Sequence, residues 1–150
     1  ISTVQYRNLW FGDDLVGETG VNAALNGQYG VPIALVTGDE AVCREASELL
    51  GDGLRTVAVK KGLSRYSARQ IPPVRARQMI EDGAREALAD FTPPRPYIPA
   101  APSVITIEVG TVDKVTDFRG RAGVEVTGDL TVESRAENWM TAWDQFWPFA

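Results

Sequence analysis

Residues 31–60 read VPIALVTGDEAVCREASELLGDGLRTVAVK. Val31 to Val36 is a short apolar run bounded by turn residues, the pattern of a buried parallel strand. Thr37-Gly38-Asp39-Glu40 opens a helix, with Thr37 and Glu40 at capping-box spacing. The helix AVCREASELL stops at Gly51-Asp52-Gly53, and Arg55 to Lys60 is a second strand. Strand, helix and strand in this order predict a parallel pair joined by a right-handed crossover.

Upstream, Thr3 to Phe11 reads as a strand, Gly12-Asp13-Asp14 as a turn, and Leu15 and Val16 as the return from it. A helix is expected from about Gly17 to Tyr29, ending before Gly30 and Pro32. Downstream, a loop from Gly62 to Ile71 carries Ser64 and Arg65. Pro72 and Pro73 start a long helix that continues to about Asp90, since proline is tolerated in a first turn. Thr92 to Pro102 holds Pro93, Pro94, Pro96, Pro99 and Pro102, so it should be an extended connector. Ser103 to Val109 (SVITIEV) is a strong strand, and Thr111 to Phe118 a short helix. Val124–Val126 and Leu130–Val132 read as brief strands, and the chain from Ser134 to Pro148 as a helix. The expected fold class is α/β, with a mixed, largely parallel sheet and flanking helices.

Composition narrows the chemistry. No apolar run approaches the roughly 20 residues of a membrane span, and residues 1–11 lack the basic-then-apolar layout of a signal peptide. Formal charge is −5, which argues against nucleic-acid binding by bulk charge. The one local exception is Gly53 to Ile80, with seven cations (Arg55, Lys60, Lys61, Arg65, Arg69, Arg75, Arg77) and no acid. That run is either a solvated face or a rim that attracts carboxylates. Cys43 is the single cysteine, so no internal disulfide can form; a reducing, cytoplasmic setting is expected. Histidine is absent. A Ser-His-Asp triad, a Cys-His pair and a histidine-rich zinc site are therefore impossible within this chain alone.

Glu18 is the first candidate site residue. At 100° per residue Glu18, Val21, Asn22, Leu25 and Tyr29 share a helix face that carries large apolar residues and should point inward. A carboxylate there needs a cation, a proton or a metal, although a solvated first-turn glutamate is the simpler alternative. Asp39 and Glu40 sit at a strand-to-helix turn, where ligand sites occur but where capping also explains them. Cys43 reads as a small buried apolar residue. Ser64 and Arg65 could meet an anion. Trp139, Trp143 and Trp147, at i, i+4 and i+8, form a core stripe or an oligomer interface.

The run VGETGVNAALNGQYGVPIALVTGDEAVCREASELL, then TVAVKKGLSRYSARQIPPVRARQ, then FTPPRP and ITIEV resembles the C-terminal half of the zinc-dependent D-aminopeptidase (DppA) family. The similarity covers most of Val4 to Val109 and weakens toward the tryptophan-rich tail. G-E-x-G-x-N-A, V-x-G-D and the Ser-Arg loop carry it by occurring in this order. The resemblance implies a hydrolase that removes D-amino acids from peptide N-termini, with a two-zinc site and a ring-like homo-oligomer. It assigns Glu18 as a metal ligand and no catalytic residue within the chain; Asn22, one helical turn beyond Glu18, and Arg65 of the Ser-Arg loop are the substrate-binding candidates. The family's Asp-x-Glu pair and histidines fall outside this sequence, the catalytic histidine just upstream of Ile1. The expected partner is therefore an N-terminal chain of the same enzyme that supplies them, Ile1 being the start of a processed or split piece. The alternative is a non-catalytic α/β binding or assembly module.

Overall fold

The computed structural model describes residues 4–89, 92 and 94–147. Ile1, Thr3, Asp90, Pro93 and Pro148, named above, lie outside them. The chain divides into two compact units, Ile1–Gln28 with Ile98–Ala150, and Tyr29–Tyr97.

The first unit is built on a five-stranded sheet. Its strands are β1 (Tyr6–Phe11), β2 (Asp14–Leu15), β6 (Ser103–Val109), β7 (Val124–Val126) and β8 (Thr131–Ala136), ordered β2-β1-β6-β8-β7. Every pairing in it is antiparallel. Along β6, Ser103, Ile105, Ile107 and Val109 are buried and the residues between them half-buried. That is the period-two pattern of a strand packed on one face. Leu9, Phe11 and Val132 join this core. Helices α1 (Glu18–Gln28), α4 (Val112–Thr116) and α5 (Trp139–Phe146) complete the unit. From α5, Trp139, Ala142 and Phe146 are buried. Trp139 meets Phe11 edge-on at 5.4 Å, and Phe118 meets Phe146 at 5.7 Å. The tryptophan stripe is thus at least partly core.

The second unit holds β3 (Leu35–Asp39), β4 (Arg55–Ser64) and β5 (Ser67–Gln70), with α2 (Glu40–Leu50) and α3 (Pro73–Ala89) packed on β3 and β4. Strands β3 and β4 are parallel, and β4 and β5 antiparallel. Gly83 lets α3 approach the sheet, since a Cβ there would collide with Val57 Cγ2.

Several expectations need correction. The sheet is not one and not largely parallel: two sheets form, and the only parallel pair among the described residues is β3–β4. Strands β1 and β2 are joined by a turn at Gly12, whose φ is 59°, too short for the crossover that parallel strands require. The β1–β6 pairing joins residues about a hundred positions apart, beyond the reach of local pattern. The segment Gly62 to Ile71 is mostly hairpin, not loop. The strand expected over Val31–Val36 begins only at Leu35 and runs on through Asp39. Thr37 therefore lies within β3, and Asp39, not Thr37, caps α2. The segment from Ser134 begins as strand, because Arg135 and Ala136 still pair with Val104 and Ser103. The helix waits for Asn138, whose Oδ1 accepts the Thr141 N–H at 3.0 Å.

Candidate functional site

Helix α1 starts where β2 ends. The Val16 N–H donates to the Leu9 carbonyl at 2.9 Å, which closes the sheet edge before Gly17. The buried face of α1 is made of Gly20, Val21, Ala23, Ala24 and Gly27. These small side chains let the helix lie close to its support. Glu18 and Asn22 are both exposed, and Tyr29 is exposed by 75%. The inward face expected for Glu18 is therefore wrong: the smaller residues, invisible to a search for large apolar ones, went inside. Glu18 and Asn22 share a polar edge one turn apart, continued by Asn26, whose Nδ2 donates to the Asn22 carbonyl at 2.7 Å.

A first-turn carboxylate on a helix seated by small buried residues is suitable as one ligand of a cation. It cannot be more than one. Zinc takes about four ligands, and among the described residues no group of three or more histidine, cysteine, aspartate or glutamate side chains is placed to hold an ion.

In the second unit, Asp39 is absorbed by structure. Its Oδ1 accepts the Ala41 N–H at 2.8 Å and its Oδ2 the Gly62 N–H at 2.6 Å. The Ala41 N–H is the main reason its carboxyl lies below the usual value of 3.8; partial burial opposes this, while Gly62, Lys60 and Arg44 assist. Glu40 pairs with Lys61 at 3.1 Å. Capping and pairing thus account for both carboxylates. A lowered pKa means that this cap contributes stability above pH 3.8, and that the contribution is lost as pH falls through the folded-state value. Asp39→Asn should therefore lower the melting temperature more at pH 7 than at a pH below 3.8, the deficit shrinking as pH falls. An equal deficit at both pH values would show that charge is not what Asp39 contributes.

Cys43 is buried. Burial, and then the charge of Asp39, push its thiol up, so it is a poor nucleophile. Arg65 stands in the β4–β5 turn, its guanidinium 5.6 Å from the Tyr66 ring centroid. Ser64 and Ser67 bridge the turn through their hydroxyls at 2.8 Å. The seven cations of Gly53 to Ile80 are all exposed, as a solvated face would be.

One groove was not foreseen. A cavity of about 740 Å³ opens beside α5, lined by Arg121, Thr141, Asp144, Gln145, Phe146 and Trp147 among others. Arg121 is committed there to backbone, donating to the Phe146 carbonyl and, through Nε, to the Asp117 carbonyl at 2.8 Å. Thr141, Asp144, Gln145, Phe146 and Trp147 come from α5 and its C-cap, but Arg121 and Ala122 come from the loop before β7, so no sequence spacing signals the groove.

Comparison with known proteins supplies the remaining evidence. The sequence model of a family described as D-aminopeptidase matches residues 1–147. The D-aminopeptidase of Bacillus subtilis (strain 168) is 30% identical over 138 residues, which are 91% of this chain and 50% of that protein. A solved structure, the Zn-dependent D-aminopeptidase DppA from Bacillus subtilis, a self-compartmentalizing protease, superposes with a TM-score of 0.87 at 29% identity. The superposition covers 95% of this chain and 52% of that one. The chain thus spans about half the length of the relatives it matches.

Proposed function

The chain belongs to the D-aminopeptidase family, and from that premise we propose that it supplies one part of a zinc metallopeptidase site that hydrolyses short peptides or related amides. The observation that carries this reading is the ligand deficit. A family whose solved relative is zinc-dependent is met here by a chain with no histidine and one helix-borne glutamate at the family's ligand motif. Glu18 then contributes one carboxylate, and the remaining ligands and the catalytic histidine come from residues outside this sequence, on an N-terminal chain or segment of the same enzyme. Zinc, when bound, supplies a Lewis acid and a water of lowered pKa. Asn22, one turn beyond Glu18, has an amide that can orient the substrate amine or carbonyl. Arg65 offers a bidentate partner for a substrate carboxylate. The relative's self-compartmentalizing character supports a homo-oligomer of the assembled unit.

The test is to isolate the protein as its cell makes it, without tags on either end. Mass is read under native and denaturing conditions, zinc by elemental analysis, and turnover with D-alanyl and L-alanyl dipeptides. Zinc-dependent hydrolysis in a particle that contains this sequence together with further chain is the expected result. A particle made of this chain alone, free of zinc and inactive, would overturn the reading in favour of a non-catalytic assembly module.

A further inference from the structure

Two motifs that stand apart in the sequence, V-x-G-D and the Ser-Arg turn, are joined by one side chain. Asp39 needs a single oxygen to cap α2, and Oδ1 does this on the Ala41 N–H at 2.8 Å. Its other oxygen, Oδ2, accepts the Gly62 N–H at 2.6 Å, 23 positions along the chain. A Cβ at Gly62 would come within 3.0 Å of Asp39 Oδ2, so this close approach favours glycine. Beside it, Lys61 pairs with Glu40 at 3.1 Å. Strand β4 also departs twice from regular register: opposite Gly38 and Asp39 of β3, and between Gly62 and Ser64 against β5. Such irregularities bend a strand and re-aim the side chains that follow.

Packing does not require these ties. Every residue from Lys60 to Gln70 is exposed, and a two-stranded hairpin is marginally stable by itself in water. What the ties hold in place is the turn at the end of the hairpin. There the Ser64 and Ser67 hydroxyls bridge the two strands at 2.8 Å. The Arg65 guanidinium lies 5.6 Å from the Tyr66 ring centroid, within cation–π range. A guanidinium binds a carboxylate through two parallel N–H bonds, so its aim matters more than that of a lysine. We propose that Asp39 is a positioning residue for Arg65. By holding the Gly62 N–H it sets the direction of the turn, and Arg65 then favours substrates with a free terminal carboxylate. This inference rests on the reading of Arg65 as a substrate contact in the peptidase proposed above. Asp39 itself acts only through the strand.

The experiment uses the protein as isolated, with all chain that accompanies it. Two probes are compared, the alanyl dipeptide that the protein cleaves and the C-terminal amide of that dipeptide, the amide as substrate or as competitive inhibitor. Asp39→Asn should raise KM for the dipeptide roughly 10-fold, the scale of one hydrogen bond to a charged group. kcat should stay within about twofold, as for a loss of uniform binding, and the affinity for the amide should not change. In an Arg65→Ala background, where the dipeptide KM is already raised, Asp39→Asn should add nothing, because the two residues act through one contact. Should Asp39→Asn fail to fold, Gly62→Ala presses on the same hydrogen bond from the strand side and should give the same selective rise. An equal change for dipeptide and amide, no change for either, or an Asp39 effect that persists without Arg65 overturns this inference and leaves the peptidase reading standing. A parent protein without zinc and without turnover overturns that reading, and this inference with it.

Discussion

Glu18→Ala in the assembled enzyme should lose zinc and turnover together. Changing groups that merely support metal ligands already costs roughly 10–100-fold in metal affinity or activity, so removal of a ligand should exceed about 100-fold. Glu18→Gln is the sharper variant, because it keeps the shape and removes the charge that a zinc ligand needs. Glu18→Asp keeps the charge and withdraws it by one methylene, and should fall between. The fold tolerates all three. Glu18 is exposed, exposed substitutions typically cost within about 0.5 kcal/mol, and a first-turn carboxylate adds about 0.3–1 kcal/mol through the helix dipole. Elemental analysis of each purified variant, with kcat and KM on the best dipeptide, separates the outcomes. Zinc content and kcat that survive Glu18→Gln would remove Glu18 from the metal site. Asn22→Ala, by contrast, should retain zinc and change only KM or kcat.

Trp139→Ala should be the most damaging single change to stability. Trp139 is 1% exposed, sits edge-on to Phe11 and stacks on Trp143 at 5.2 Å with the planes 18° apart. Truncating a buried aromatic to alanine costs about 3–5 kcal/mol, against a total of about 5–15 kcal/mol for a domain. Its Nε1 is buried and has no hydrogen-bond partner among the described residues. Trp139→Phe should therefore cost far less, since it keeps a ring against Phe11 and removes an unsatisfied donor whose burial is worth about 1–3 kcal/mol. Urea unfolding of the three proteins, followed by far-ultraviolet circular dichroism, gives the ordering. If phenylalanine proves as costly as alanine, the stacking with Trp143 dominates and the indole nitrogen carries no penalty.

Much of the secondary structure was legible because its signals are local. The alternation in SVITIEV marks β6 residue for residue. Gly51 ends α2 with φ 68°, a conformation that glycine adopts without strain. Pro73 opens α3, as its fixed φ allows. Val124–Val126 was legible in the same way. The candidate site was legible only in part. Glu18 and Asn22 stand out through motif and spacing, but their outward orientation depends on which side of α1 finds support. Small residues decided that, since Gly20, Ala23, Ala24 and Gly27 permit an approach that bulkier side chains would block.

The sequence by itself determined some limits of the chemistry: with no histidine and one cysteine, neither a histidine-dependent triad nor a histidine-rich zinc site can form within this chain alone. It also determined the helices and most strands, whose periods are written in neighbouring residues. The tertiary structure alone decided strand partners and direction. Antiparallel β1–β6 and the division into two sheets arise from contacts between residues distant in the chain. Cross-strand pairing there overrides local preference: Ser134 to Ala136 lie in a strand although a helix follows, because β6 offers backbone partners.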